Sequence, residues 1–335
     1  MVDKTKIFKY CYHALFLLLI IAFIYGLPYH IEYVKAQSMA KTGLLDQHVY
    51  LDKNLAKTFP NYDTNSIQTA VEGFIAKNNY NVSAYMLNLR NGANFGINEK
   101  EGSFPASLNK LPLAMLIMEE VEAGRFKLNT KIAIDVSVIP EEYQSDITAD
   151  YYQQNQKLPI HTLLENLLQK SDNSAFWILL SLVSEAKLDN LLDYFSIDPA
   201  GTMSYDRSIQ YAGKKGPKSL ANIFSSLYFS NVLEPDHSEY LLGLLANTTF
   251  DMAKLADLPA TAKVAHKYGS YKEAKIFQDC GIIYYEKTRT LYCITVRNQD
   301  EDSAASTTAS IVQALQKSTA QKRELLDVFA EIGHI

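Results

Sequence analysis

Apolar and polar positions alternate with different periods along this chain, and the periods predict its elements. From Tyr10 to Tyr29 there is no Asp, Glu, Lys or Arg. About twenty residues at ~1.5 Å rise reach ~30 Å, the thickness of a bilayer's hydrocarbon core. Residues 30–62 are polar and weakly patterned, as a stalk would be. Asn65 then reads as a cap before SIQTAVEGFIAKNN, in which Ile67, Val71, Phe74 and Ile75 recur at helical spacing. The extended runs NVSAYMLNLR and NFGINEK flank Asn91-Gly92, a strong hairpin signal. A helix is predicted from Pro105 to Ala123, followed by an interval from Asp135 to Gln156 with little periodicity. IHTLLENLLQK reads as an amphipathic helix, and SDNSAFWILLSLVSEA continues as a second. TAKVAHKYGSY, KIFQDCGIIYYEK and TRTLYCITVRN are β-branched and aromatic with turn signals between them, hence three consecutive strands. Asp302 to Ile335 reads as a closing helix.

The order is therefore helix, hairpin, a long helical middle, three strands, helix. It describes an α+β fold: a five-stranded antiparallel sheet assembled from both ends of the chain, flanked by helices, with a mostly helical lobe inserted. A cleft between sheet and lobe is the natural place for a ligand. The domain reading is a cytoplasmic tail at 1–9, a transmembrane signal-anchor at 10–29, a stalk at 30–62 and a folded domain at 63–335. Lys4, Lys6 and Lys9 outnumber Asp3 ahead of the apolar run, which places the N-terminus in the cytoplasm. A cleaved signal peptide is the competing reading. Pro28, Tyr29 and His30 follow the run where a small-x-small site would be needed. Either way the domain is exported.

Composition narrows the function. With 335 residues, 47% of them hydrophobic, the chain can bury a sizeable core. A net charge of -5 leaves no general electrostatic case for nucleic acid. Cys11, Cys280 and Cys293 are too few for a disulfide-built scaffold, and no CxxC or His-rich run suggests a metal. No cofactor is indicated.

Candidate chemistry begins at Ser107-Leu-Asn-Lys110. A Ser and a Lys at i and i+3 of a helix project to one side, so the amine can reach the hydroxyl. If burial and neighbouring cations hold the lysine neutral, it can take the serine proton and create a nucleophile. Pro105 puts Ser107 near a helix N-terminus, where developing negative charge is favoured. The spacing alone is weak, since Ser38/Lys41 and Ser184/Lys187 share it. Two further features accompany Ser107. Ser171-Asp172-Asn173 interrupts an otherwise apolar helical pattern, where a plain N-cap is the bland explanation. Lys267-Tyr268-Gly269 lies within a strand, where Gly permits close backbone approach and Lys offers a fixed cation.

In that order and at that spacing the three motifs resemble SxxK, SDN and KTG of the penicillin-recognising serine hydrolases, specifically the class A β-lactamase-like branch. The likeness runs over about Asn65 to Ile335. It implies that Ser107 attacks a carbonyl and becomes acylated, with Lys110 as general base or part of its proton relay and Ser171 as proton shuttle. It further implies that Asn173 meets the substrate's side-chain amide, that Lys267 meets its carboxylate, and that the backbone N–H groups of Ser107 and Ser270 form the oxyanion hole. The implied partner is a β-lactam or a peptidoglycan stem peptide ending in D-Ala-D-Ala. A D,D-peptidase-like enzyme without efficient β-lactam hydrolysis and a catalytically silent cell-wall-binding domain are the alternatives.

The chain departs from that pattern twice. Tyr268 stands where the family has Thr or Ser, so the small hydroxyl that helps hold a carboxylate is missing. Between Glu185 and Glu234 there is no Glu to activate a deacylating water. Asp206-Arg207-Ser208-Ile209 matches the start of the family's Asp-Arg-x-Glu loop but leaves Ile209 where the acid belongs. Asp206 would need a shifted loop to serve, and pairing with Arg207 is its simpler role. Slow deacylation is the expectation. His266 should point to the opposite strand face from Lys267 and belong to the core. Cys280 and Cys293 are set opposite each other by a symmetric hairpin. An exported chain can oxidise them, although directly opposed strand cysteines make strained bridges, which counts against pairing.

Overall fold

In the computed structural model, which describes Phe16 and residues 64–144, 152–195, 216–286 and 288–332, the first helix, α1, runs Thr64–Asn78. Strands β1 (Asn81–Asn88) and β2 (Asn94–Ile97) follow, then a 3₁₀ turn (Ala106–Asn109) leading into α2 (Lys110–Glu122). Next come β3 (Lys131–Ala133), α3 (Glu141–Gln144), β4 (Lys157–Pro159), α4 (Ile160–Gln169), α5 (Asn173–Leu180) and α6 (Glu185–Tyr194). The rest of the domain is α7 (Pro217–Tyr228), α8 (Pro235–Leu245), α9 (Met252–Leu255), β5 (Lys263–Tyr271), β6 (Ile276–Tyr285), β7 (Thr288–Arg297) and α10 (Glu301–Ile332).

Among the described residues the main sheet is five-stranded and antiparallel, in the order β2-β1-β7-β6-β5. The first and last thirds of the chain thus build one sheet, with the helical lobe inserted between β2 and β5. Strand β7 is buried almost throughout, because the sheet is covered on both faces. One row of side chains, including Tyr85, Leu89, Ala265, Cys280, Ile282, Leu291 and Cys293, packs into the same core as α2, α4, α5, α7 and α8. The alternate row faces α10, whose small buried residues Ala304, Ala305, Thr308 and Ala309 let the helix lie close on β6 and β7. Two-residue alternation of side chains produces this division.

The helix α1 begins at Thr64, so Asn65 lies inside it and is not its cap; helix starts are the least sharply specified part of such patterns. The patternless interval contains β3 and β4, which pair as a two-stranded ribbon. Each has three residues, too few to show a period. The second lobe helix is shorter than expected: α5 ends at Leu180, and a turn through Ser181 to Val183 precedes α6.

Cys280 and Cys293 are register partners on β6 and β7, with Cα atoms 4.1 Å apart, and they form a disulfide. The expectation against pairing is corrected. Both residues are buried on the same sheet face, and the hairpin register sets them close enough to join. The apolar run 10–29, the stalk and Asp206 lie outside the described residues, apart from Phe16. Among the described residues no helix is long and apolar enough to cross a membrane.

Candidate active site

The nucleophile candidate sits on the 3₁₀ turn, not within the α-helix that the sequence suggested. Ala106 enters the turn with φ +48°, and Ser107 remains partly exposed while Leu108 and Lys110 are buried. Residues i and i+3 eclipse in 3₁₀ geometry, which brings Ser107 and Lys110 together directly. Lys110 Nζ lies 2.7 Å from Ser107 Oγ, 2.7 Å from Asn173 Oδ1 and 3.4 Å from Ser171 Oγ. A neutral amine offers N–H groups to Asn173 and Ser171 and a lone pair to the Ser107 hydroxyl. That arrangement can draw the proton off Ser107.

The second motif is the joint between α4 and α5. Ser171 adopts φ +58°, which turns its hydroxyl out of the helical path. A buried brace holds that conformation. Asp172 caps α5 by accepting from the Ala175 N–H at 3.0 Å, and its other oxygen accepts from Tyr152 OH at 3.0 Å. Tyr152 OH accepts from Asn166 Nδ2 at 2.9 Å, and the Asp172 N–H donates to Asn166 O. The N-cap reading of this triplet is thus correct for Asp172, while Ser171 and Asn173 on either side face Lys110.

The third motif lies on the edge strand β5. Lys267 is 1% exposed and donates from Nζ to Ser171 Oγ at 2.8 Å and to Tyr268 O at 3.2 Å. Ser171 therefore bridges the two lysines. Burial and the neighbouring Lys110 charge hold the Lys267 ammonium well below the usual lysine range, partly offset by Asp279. Gly269 is required by contact: a Cβ there would lie 2.6 Å from Pro105 O and 3.0 Å from Ser107 N. Its absence lets the β5 backbone lie close against the Ser107 turn. Tyr268 is half-buried and packs on Phe250 and Phe277. Burial, with the Glu301 and Asp279 carboxylates, pushes its phenol up.

Ser107, Lys110, Ser171, Asn173, Lys267 and Gly269 thus converge, although the chain separates them by up to 162 residues (107 to 269). Of the other Ser/Lys pairs at this spacing, Lys187 is engaged elsewhere, 2.7 Å from Glu120 Oε1. His266 does point to the face opposite Lys267, as alternation requires. What sequence reading passed over is its partner set: His266 Nδ1 lies 2.7 Å from Asp279 Oδ2, and Tyr292 OH donates to Asp279 Oδ1 at 2.6 Å. An acid in the middle of the apolar strand KIFQDCGIIYYEK was the available signal.

Comparison with known proteins agrees with this geometry. The model of the β-lactamase enzyme family matches residues 65–319. The chain is 27% identical over 231 residues to the extended-spectrum β-lactamase PER-1 of Pseudomonas aeruginosa, covering 65% of this chain and 74% of that one. It is 23% identical to β-lactamase VEB-1 of the same organism, over 63% and 74%. Among solved structures, TLA-1 extended-spectrum β-lactamase superposes with a TM-score of 0.67 at 20% identity, over 77% of this chain and 99% of that one. PBP-A gives 0.66 at 17%, over 76% and 96%. The similarity over most of the chain and the convergence of the three motifs have one meaning: this chain belongs to the β-lactamase enzyme family and is a serine hydrolase of the acyl-enzyme type.

Proposed function

We propose that Ser107 is the residue acylated, with Lys110 as its general base and Ser171 as the relay that returns the proton to the leaving nitrogen. The observation that carries this reading is the 2.7 Å contact between Lys110 Nζ and Ser107 Oγ beside a second buried lysine. Two amines that share Ser171 cannot both be charged cheaply at this range in a low dielectric. One of the two is neutral, and in this reading Lys110, the amine in contact with Ser107 Oγ, is that base, while Asp279 offsets part of the penalty of keeping Lys267 charged. Attack by the Ser107 oxygen on an amide carbonyl then forms a tetrahedral oxyanion between the backbone N–H groups of Ser107 and Ser270. Collapse breaks the C–N bond, and Ser171 passes the proton to nitrogen.

The substrate is a β-lactam or a stem peptide of the cell wall. Support comes from the family and from PBP-A, a mutant of which is described in an acyl-enzyme complex with penicillin G. Deacylation is slow in this reading, because Ile209 stands where the family's loop carries its Glu. The domain 63–335 works outside the cytoplasm on an uncleaved anchor at 10–29, which the uncharged run and the preceding lysines support.

The test treats the full-length protein with a fluorescent penicillin and a chromogenic cephalosporin, beside Ser107→Ala. Persistent labelling with little colour change is expected for the native chain and no labelling for the variant. Labelling of Ser107→Ala equal to that of the native chain would refute the assignment.

A further inference from the structure

Tyr268 breaks the pattern of the third motif, and its side chain is held in a definite place. It shares a sheet face with His266 and Ser270 and, across the β5–β6 register, with Asp279 and Phe277. Its ring centroid lies 4.7 Å from that of Phe250 and 5.8 Å from that of Phe277, the latter nearly parallel at 18°. Phe250 is fixed in turn. Its carbonyl accepts from Thr248 Oγ1 at 2.8 Å and lies 2.8 Å from His266 Nε2. Since Thr248 spends its hydrogen on that carbonyl, its 2.9 Å contact with His266 Nε2 requires the hydrogen to sit on the ring nitrogen. The pair His266 and Asp279 anchors this bracket from the buried side.

From that position the Tyr268 ring presents itself to Lys267 Nζ, 4.9 Å from the ring centroid, within the range of a cation–π contact. An ammonium has three N–H groups. Those of Lys267 meet Ser171 Oγ, Tyr268 O and the Tyr268 ring, and the residue is 1% exposed. With three N–H groups and these three acceptors, the ammonium can satisfy every donor within the protein while it polarises Ser171.

We propose that Tyr268 is a specificity-determining residue: its ring covers the Lys267 ammonium, so that acylation of Ser107 does not depend on a carboxylate beside the reacting carbonyl. Acyl donors that are neutral at that position are then accepted as readily as acids. The proposal rests on Ser107 being the nucleophile and deepens that reading by naming the substrate class. Tyr268 acts on recognition, not on the proton transfers.

Acylation rates of the full-length protein with benzylpenicillin and with its neutral methyl ester test it. For the native chain the two rates agree within about threefold. Tyr268→Thr, which uncovers the ammonium and adds a small hydroxyl, speeds acylation by the acid about tenfold or more and by the ester about twofold or less, as a gained charge-assisted hydrogen bond requires. Tyr268→Phe keeps the ring and keeps the native ratio. Three results overturn the proposal: a native chain that favours the acid about tenfold or more, a Tyr268→Thr that speeds both probes alike, or a Tyr268→Phe that behaves as Tyr268→Thr. Should the Thr variant not fold, the native and Phe ratios decide it. Absence of a Ser107 adduct with either probe overturns the nucleophile assignment and this proposal together, a result distinct from equal or unequal rates.

Discussion

Lys267 Nζ, on a fully buried side chain, lies 2.8 Å from Ser171 Oγ. In the proposed reading the contact serves chemistry, and it comes at a cost to stability. Burial and Lys110 lower the folded-state pKa of this lysine well below its ordinary 10.5. A lysine with a depressed pKa carries its full penalty below the folded value, and stability is regained as pH rises from there toward 10.5. Lys267→Met removes the penalty. Thermal unfolding of the full-length protein followed across pH is expected to show the Met variant more stable near neutrality, with the difference shrinking as pH approaches 10.5. Acylation falls about a hundredfold or more in the same variant. A stability gap that widened with pH would contradict the depressed lysine.

Gly269 gives a second prediction. A methyl group at this position meets the Pro105 carbonyl and the Ser107 amide, both backbone atoms that cannot swing aside. Gly269→Ala must therefore separate β5 from the nucleophile's turn. We expect acylation slowed by about 10² or more, the usual cost of an ångström of misplacement, with a folded far-ultraviolet spectrum. Native-like acylation by this variant would show that the close approach is dispensable.

The fully buried Tyr292 and the half-buried Tyr240 should respond differently to the loss of a hydroxyl. Tyr292 donates to Asp279 at 2.6 Å in a place with no exposure, and a hydrogen bond to a charged group is worth about 1.5–3 kcal/mol. Tyr292→Phe is expected to lose that amount in urea unfolding. The buried hydroxyl of Tyr240 has no hydrogen-bond partner among the described residues, and burial with Glu165 nearby pushes its pKa to about 12. Tyr240→Phe is expected to be neutral or slightly stabilising. Equal losses in the two variants would mean that the Asp279 network adds nothing.

Much of this was legible in the sequence because local pattern and chemistry agreed. The β-branched and aromatic content of TAKVAHKYGSY and KIFQDCGIIYYEK specified strands, and three separated motifs named residues that the fold brings together in the candidate site. Contacts between distant segments were less legible. Nothing local says that Ala106 turns left-handed, that Ser171 does so too, or that the Ser107 turn is 3₁₀; these conformations are imposed by packing against β5 and by the Tyr152, Asn166 and Asp172 brace. The disulfide was misjudged for a related reason. Sequence spacing placed Cys280 opposite Cys293, but whether their backbones approach to 4.1 Å is decided by the sheet as a whole. Tyr268 departs visibly from the third motif, yet where its ring goes depends on Phe250, a residue that no motif contains.

The central claim, that a buried lysine strips the proton from Ser107 and makes it the acylated residue, is tested most directly by peptide mapping. The full-length protein is incubated with benzylpenicillin, digested, and analysed by mass spectrometry beside Ser107→Ala and Lys110→Ala. The account predicts one penicilloyl adduct on the Ser107 peptide in the native chain, none in Ser107→Ala, and formation slowed by about 10² or more in Lys110→Ala. An adduct on another residue, or native labelling kinetics without the Lys110 amine, would contradict it.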